Sequence, residues 1–332
     1  MKNEAEARRL VAEAGRMLLA EGLVARTWGN VSCRADEGVM LITPSGMDYE
    51  SMSEGDVVPF DMASGTWTGA RKPSSEHRIH SAAYRVFPEA EFVIHTHQTY
   101  ASALALTGLA SLPLTERERA ALGGVAHAPY ALPGTKELAN NVEAAFASGA
   151  HTVLMARHGV VVAGRDREEA FSRAKLLEET CRRACRGQPE GELPFDAPRA
   201  ERLLTRARKA FGHAALEASA PALACAAPGE NLPAQLDDAA QMIGSRIPAA
   251  KPEEKAVLRA LRWRGAALVP GVGAVCRARD EGDCRALCLL IKKACICFLH
   301  ARALGANARL SLFDTALMRV IYIRKYQKKI GG

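Results

Sequence analysis

Hydrophobic and polar positions along the first part of the chain follow two periods. Apolar residues that recur every three or four positions predict helices, and short continuous apolar runs bounded by turn residues predict strands. The helices are expected at residues 4–22, 76–86, 98–107, 134–147 and 167–186. The strands are expected at residues 39–42, 57–60, 91–94 and 153–162 (one bent strand or a pair), with an extended piece at 125–130 and a loop at 27–32. Strands that alternate with helices indicate an α/β domain, which we expect to span residues 1–195.

Four residues of this domain suggest a metal site. His95 and His97 end the apolar run at 91–94, and residues i and i+2 of a strand point to the same face, so both imidazoles can bind one ion. His158 follows a second apolar run, and Glu76 opens a predicted helix. Three imidazoles suit a divalent ion of the zinc type and would leave a position open for substrate. Taken singly, each histidine is more simply an ordinary residue, and Glu76 a helix N-terminal residue favoured by the helix dipole.

The middle of the chain differs in composition from the first domain. Residues 187–235 are richer in Pro, Gly and Ala, and they contain one predicted helix at about 200–218. Residues 219–233 have the composition of a linker. We therefore expect residues 196–235 to be a linker that carries a helix.

The last part of the chain repeats the end of the first domain. A shift of 114 positions aligns residues 153–181 with residues 267–295 without a gap, and both segments predict a strand, a turn, an aspartate and a long helix. Val272 then stands at the position of His158. We expect residues 236–332 to form a smaller α/β segment that is a partial, metal-free repeat.

Composition argues against membrane, secreted and disulfide-rich proteins. With 48% hydrophobic residues the chain can bury a sizeable core. No apolar run reaches the ~18 residues that a membrane span needs and no secretory signal is visible, so we expect a cytoplasmic protein that does not bind membranes. The nine cysteines form no C-x-x-C pair, and they are expected to be small buried hydrophobes rather than disulfides or a second metal site.

Charge is concentrated in the last part of the chain. Residues 201–332 carry 22 Lys and Arg against 11 Asp and Glu, whereas the whole chain has a net charge of +7. A basic segment can attract nucleic acid or acidic partners. No aromatic-stacking, Arg/Gly or zinc-finger pattern accompanies this one, so nucleic acid is not expected as a partner.

Six different short motifs lie along the first domain. They are Thr27-x-Gly29-Asn30-x-Ser32, Thr43-Pro44-Ser45-Gly46, Pro73-Ser74-Ser75-Glu76, His95-x-His97, Ala128-Pro129-Tyr130 with Gly134-Thr135, and His158-Gly159. In order and spacing this set resembles the class II aldolase/adducin head domain superfamily, which includes fuculose-phosphate aldolase. The resemblance implies a three-layer α-β-α domain with a central mixed sheet. It also implies one divalent ion, Zn²⁺ above all, on the three histidines with Glu76 beside it, and a homotetramer or other homo-oligomer with active sites at subunit contacts.

Small and hydroxylated residues in these motifs are candidates for an anion site. Backbone N–H groups and hydroxyls in turns and at helix N-termini bind phosphate readily, although Gly, Asn and Ser are also ordinary turn residues. The resemblance implies a phosphate and substrate pocket formed by Thr27, Gly29, Asn30, Ser45, Gly46, Ser74 and Ser75.

The expected function is that of a metal-dependent aldehyde-lyase. It would cleave or form a C–C bond in a phosphorylated ketose or a related sugar acid. Breaking a bond next to a carbonyl leaves an enediolate, and a divalent ion stabilises the negative charge that develops on its oxygens. A nearby carboxylate can move the proton as general acid/base, and Glu76 is the candidate for that role.

One departure from the family pattern keeps other reactions open. The aldolases of the superfamily carry a catalytic tyrosine shortly before an Ala-Gly-Gly turn, but residues 115–124 contain no tyrosine. Arg117 and Arg119 could instead bind a carboxylate or a second phosphate. A sugar-phosphate epimerase, decarboxylase or dehydratase of the same superfamily, or a non-catalytic adducin-like interaction protein, are the alternatives.

Overall fold

The polypeptide folds as two units. The computed structural model describes residues 3–25, 28–36 and 38–325, and the boundary between the units lies between Ala184 and Cys185. Among the described residues, every helix is too short or too polar to cross a lipid bilayer.

The first unit is built on a mixed sheet of seven strands. The strands are β1 Asn30–Asp36, β2 Val39–Ile42, β3 Val58–Asp61, β4 Phe92–Thr96, β5 Val125–Ala128, β6 Thr152–Met155 and β7 Gly159–Gly164. Their spatial order is β3-β2-β1-β4-β7-β6-β5, so β4 is the central strand. The β5–β6 pair is parallel and the other pairs are antiparallel. All five residues of β4 are buried, and its first three, Phe92, Val93 and Ile94, form the apolar run that predicts this strand.

Helices cover both faces of this sheet. They are α1 Glu4–Ala20, α2 His77–Val86, α3 Thr99–Thr107, α4 Glu116–Ala121, α5 Lys136–Ala147 and α6 Arg167–Ala184, with short 3₁₀ turns at Glu54–Asp56 and Leu109–Ser111. α2 and α5 pack on one face in a core that includes Ile79, Phe146 and Val93. The expected three-layer α/β fold with a central mixed sheet is confirmed.

One strand of the first unit was predicted wrongly as a loop. Residues 30–32 of the loop expected at 27–32 belong to β1, which pairs with β2 on one side and with the central β4 on the other, and Thr27 lies outside the described residues. The strand has no continuous apolar run in the sequence because Asn30 and Ser32 are polar. Both are buried, Asn30 at 4% and Ser32 at 0% exposure, because other polar side chains meet them inside the domain.

The second unit has its own smaller sheet. Its elements are α7 Ala197–Phe211, β8 His213–Glu217, α8 Ala220–Ala226, β9 Leu232–Pro233, α9 Asp237–Met242, β10 Arg246–Ile247, α10 Glu254–Arg264, β11 Ala266–Val269, β12 Gly273–Ala278, α11 Glu281–Ala303 and α12 Leu312–Lys325. β11, β12 and β8 form a three-stranded sheet, and β9 pairs with β10.

The segment expected to be a linker is part of this second unit. The helix predicted at 200–218 ends at Phe211, because Gly212 takes a positive φ of 85° and stops it. The chain then turns into β8, which pairs antiparallel with β12. Residues 196–235 therefore supply two helices, α7 and α8, and two strands, β8 and β9, of this unit.

The second unit has the same local connectivity and register as part of the first. The 114-residue shift carries β6, β7 and the start of α6 onto β11, β12 and the start of α11. It also carries Val161 onto Val275, and Val161 lies opposite His95 whereas Val275 lies opposite Leu216. β8 and α8 thus occupy the places of β4 and α3. No counterpart of the β1–β3 ladder pairs with β8 among the described residues.

Substitution of Gly159, the first residue of β7, tests how tightly this strand packs against the central strand β4. A methyl group at Gly159 would overlap the backbone carbonyl oxygen of Thr96, which cannot move without breaking the β4–β7 ladder. Gly159→Ala should therefore lower the free energy of unfolding by about 1–3 kcal/mol, the usual cost of overpacking. Urea denaturation measures this. The control is Gly55→Ala, where the nearest atom is Ser53 Oγ at 3.8 Å; equal stability of the two variants would contradict the packing argument.

Candidate metal centre

Four side chains from separate parts of the first unit converge on one point. Glu76 is the N-cap of α2, His95 belongs to β4, His97 follows β4, and His158 lies between β6 and β7. One ligand atom from each lies within 4.8 Å of those of the other three. Glu76, His95 and His158 are buried and His97 is partly exposed, so the cluster opens to solvent on the side of His97.

The distances within the cluster are those of atoms arranged around a common centre. His95 Nε2 is 3.0 Å from His97 Nε2 and 3.1 Å from Glu76 Oε2, and His158 Nε2 is 2.7 Å from Glu76 Oε1. The three imidazole centroids are 4.8–4.9 Å apart. A tetrahedral ion with bonds of about 2.0–2.1 Å separates its ligand atoms by about 3.3 Å, so this group needs little movement to hold one.

The tautomer of His95 supports the same conclusion. Its Nδ1 lies 2.8 Å from the carbonyl oxygen of Val160, and a carbonyl can only accept, so Nδ1 carries the hydrogen. In the neutral ring the lone pair is then on Nε2, which faces His97 and Glu76. A backbone acceptor that fixes the ring in this way is usual for histidines that bind metals. The donor set thus fits a divalent ion.

The turn before β7 places His158. Arg157 has a φ of 62°, the left-handed region, and no other described residue except glycine has a positive φ. The His158 N–H donates to Met155 O at 3.1 Å, which closes the turn between β6 and β7. Left-handed backbone is costly for arginine, so the fold imposes this conformation, and the next residue is thereby directed to the cluster.

Glu76 is held as an anion inside the protein. Burial by itself raises the pKa of this carboxyl, but attraction to protonated His95 and His158 rings and their hydrogen bonds outweighs it and leaves the pKa well below its usual range. A divalent ion bound to the neutral rings would supply that positive charge in their place. The Asn30 side-chain amide also donates to Glu76 Oε2 at 3.0 Å. An ionised carboxylate at this point can accept a proton from a substrate carbon or oxygen and return it.

Two of the three loops expected to bind phosphate lie side by side next to Glu76. The Ser45 N–H donates to Lys72 O at 2.9 Å, and the Ser74 N–H donates to Thr43 O at 3.0 Å. The third is joined to them because the Val31 N–H donates to Thr43 Oγ1 at 3.2 Å. The small residues of these three loops, at positions 29–30, 45–46 and 74–75, thus form one continuous surface beside Glu76, which we call the rim.

The individual residues of this rim differ in what they can offer a ligand. Ser45 and Ser75 are partly exposed and Gly46 is exposed, whereas Ser74 is buried and its Oγ accepts from the Glu76 N–H at 3.3 Å. Gly29 has a φ of 113°, and a methyl group there would overlap the His95 carbonyl. Thr27 lies outside the described residues.

Three residues of the site were missed in the sequence. His80 Nε2 is 2.5 Å from Asn30 Oδ1, His80 Nδ1 is 2.7 Å from Ser32 Oγ, and Ser32 Oγ is 2.9 Å from Tyr84 Oη. Burial lowers the pKa of His80 to about 3, so the ring is neutral near pH 7. The available signal is spacing: positions 76, 80 and 84 share a helix face, and positions 30 and 32 share a strand face.

The region that lacks the family tyrosine forms α4. Thr115 and Glu118 form a capping box at its start, and Arg117 and Arg119 are exposed on it. Their expected role with a carboxylate or second phosphate stays a prediction. Tyr130, from another of the motifs, lies beneath the Arg157 guanidinium, whose carbon is 5.8 Å from the ring centroid.

Known proteins resemble this chain over the same region. An L-fuculose phosphate aldolase of Escherichia coli is 38% identical over 159 residues, which are 47% of this chain and 72% of that protein. A 5-methylthioribulose-1-phosphate/5-deoxyribulose-1-phosphate aldolase of Rhodospirillum rubrum is 36% identical over 216 residues, 63% of this chain and 94% of that protein. A solved L-fuculose 1-phosphate aldolase matches with a TM-score of 0.50 and 33% identity, over 54% of this chain and 85% of its own.

The family assignment rests on more than half of the chain. The model of the class II aldolase and adducin N-terminal domain matches residues 9–185, which contain all four side chains of the cluster. The chain therefore belongs to the class II aldolase and adducin N-terminal domain family.

Proposed function

We propose that this class II aldolase cleaves and forms a carbon–carbon bond in a phosphorylated ketose, with one divalent ion, zinc by preference, on His95, His97 and His158. The observation that carries the proposal is the convergence of these imidazoles with Glu76 within 4.8 Å. Zinc is preferred because imidazole nitrogens suit a borderline-soft ion better than the hard ions that oxygen ligands select. A cytoplasmic location belongs to the same proposal and is supported by the nine cysteines, none of which forms a disulfide in the part of the chain that the structure describes, as is usual in a reducing compartment.

Glu76 is the proton carrier in this proposal. When bound, a divalent ion supplies Lewis acidity that stabilises the negative charge developing next to the substrate carbonyl. In the direction of bond formation, the ionised Glu76 takes a proton from the carbon beside the carbonyl; in cleavage it returns that proton. The buried position of Glu76 keeps bulk water from competing for the proton.

The rim of small residues is proposed to bind the substrate phosphate. Ser45, Gly46 and Ser75 present exposed or partly exposed backbone and hydroxyl groups next to the centre. The two aldolases related in sequence bear names of phosphorylated sugars, which supports a phosphoester substrate here. A phosphate at the rim would hold the carbonyl end of a ketose phosphate near Glu76.

Metal content provides the first test. The purified chain should bind about one divalent ion. His95→Ala should bind none, because it removes the imidazole of the central strand from the group of ligand atoms that would surround the ion. Elemental analysis after dialysis measures the ratio, and complete chelation should abolish aldol cleavage. The control is His213→Ala, an exposed histidine of β8. Activity that survives full removal of the metal would contradict the proposal.

The role of Glu76 is tested by an isosteric change. Glu76→Gln should lower kcat for retro-aldol cleavage of ketose phosphates by about 10²–10⁴-fold, because the amide cannot carry the proton. The variant should still bind metal through its histidines. Glu137→Gln is the matched control, since Glu137 is likewise a glutamate at the start of a helix but is exposed. Full activity of Glu76→Gln would exclude this residue as the proton carrier.

The second unit is proposed to be a partial, metal-free copy of the first. The equal register of β8–β12 and β4–β7 supports this, and so do the apolar residues Leu216 and Val272 at the positions of His95 and His158. A role in assembly of a homo-oligomer, such as a tetramer, is supported by apolar side chains that the unit exposes. Leu312 is 78% and Phe313 75% exposed at the start of α12.

Replacement of these two side chains tests the assembly role. The double variant Leu312→Ser/Phe313→Ser should reduce the molar mass of the assembly in light scattering, because it removes the exposed apolar surface that association would bury. Trp67→Ser, which changes an exposed apolar residue of the first unit, is the control. An unchanged mass in the double variant would count against the role of α12.

A further inference from the structure

A chain of buried polar groups leads from the interior of the first unit to Glu76. It runs from Tyr84 through Ser32, His80 and Asn30 to the carboxylate, with successive distances of 2.9, 2.7, 2.5 and 3.0 Å. Exposure of these residues ranges from 0% for Ser32 and His80 to 9% for Glu76. Buried polar groups are costly unless each is hydrogen-bonded, so this arrangement is a specific feature of the fold.

The hydrogen atoms of this chain can be assigned in only one direction. The Asn30 amide nitrogen donates to Glu76 Oε2, and the Asn30 carbonyl oxygen therefore faces His80 Nε2. That oxygen can only accept, so His80 carries its hydrogen on Nε2. The neutral ring then accepts at Nδ1 from Ser32, which in turn accepts from Tyr84. Every donor points toward Glu76.

We infer that His80 is a positioning residue, which fixes the Asn30 amide so that it holds the Glu76 carboxylate in place for proton transfer. The inference rests on the proposed function of Glu76. It also gives Asn30 a task other than phosphate binding, since its amide nitrogen and oxygen are engaged with Glu76 and His80. With the opposite tautomer, Asn30 would turn its oxygen to the carboxylate and repel it.

The alternative is that these groups form hydrogen bonds with one another only because they are buried, with no effect on catalysis. The geometry favours positioning because the chain ends on the carboxylate proposed to react, and a rotation of Asn30 would remove one of its donors. Misplacement of a catalytic group by about 1 Å can cost about 10²-fold in rate. A core contact alone would affect the stability of the enzyme and not the turnover of its folded fraction.

The tautomer is tested without any activity measurement. Protein labelled with ¹⁵N-histidine should show His80 in solution NMR as a neutral ring with its proton on Nε2 near pH 7. The resonance is assigned by its loss in His80→Gln. A proton on Nδ1, or a charged ring, would overturn the inference whether or not the enzyme cleaves ketose phosphates.

Turnover tests the consequence of the tautomer. His80→Leu removes both hydrogen-bonding positions and should lower kcat about 10- to 100-fold, with KM changed less than about twofold and metal content unchanged. His80→Gln can still donate to Asn30 and should recover most of the lost kcat. His300→Leu, which removes a buried histidine of the second unit, is the control.

The outcomes separate this inference from the proposed function. If wild-type enzyme shows no aldol cleavage, the proposed function fails while the NMR result still decides the tautomer. If wild type is active and His80→Leu is merely less stable, with kcat per folded, metal-loaded enzyme unchanged, the positioning role is wrong. Equal damage in His80→Leu and His80→Gln would also contradict it, because only the glutamine retains a donor.

Discussion

A carboxylate buried among three imidazoles is the constraint on which the rest of the first unit depends. Removing such a charge from water costs several kcal/mol unless partners face it. The partners of Glu76 come from β1, from β4 and from the turn after β6, while Glu76 itself begins α2. The carboxylate is therefore satisfied only when all four elements have packed together, which couples the geometry of the site to the assembly of the sheet.

Close packing around the central strand gives this arrangement its precision. His95 lies opposite Asn30 on one side and Val161 on the other, so both neighbouring strands fix its position. Gly29 and Gly159 allow backbone to approach the carbonyl groups of His95 and Thr96 more closely than any side chain would permit. The polar cluster thus sits on backbone that cannot shift by a residue without losing both ladders.

Sequence patterns predicted those parts of the first unit that depend on local periodicity. Helices α1, α2, α3, α5 and α6 and the apolar strands followed from it, as did the pairing of His95 with His97, whereas α4 was not predicted. β1 was missed because Asn30 and Ser32 are polar, and their burial depends on His80 and Tyr84 about fifty positions away. The direction in which Asn30 points could not be predicted, since it depends on the charge of Glu76 after folding. In the second unit, Gly212 ended a predicted helix, and the composition of 196–235 concealed a strand.

Comparison of the two units distinguishes residues that the backbone geometry requires from residues that the chemistry of the metal centre requires. Gly273, like Gly159, approaches a carbonyl so closely that a methyl group would overlap it, here that of Glu217 at the place of Thr96. The second unit therefore has the same hairpin, glycine and register, and Leu216 and Val272 stand at the positions equivalent to His95 and His158. Apolar side chains at those positions need no partner and no ion, so the packing of this supersecondary unit is stable without a polar cluster. In the first unit, by contrast, the buried imidazoles and Glu76 are stable only when each has a charged or hydrogen-bonding partner, a condition that the same backbone does not impose in the second unit. Such a condition is expected of residues that serve the chemistry of a site rather than its packing.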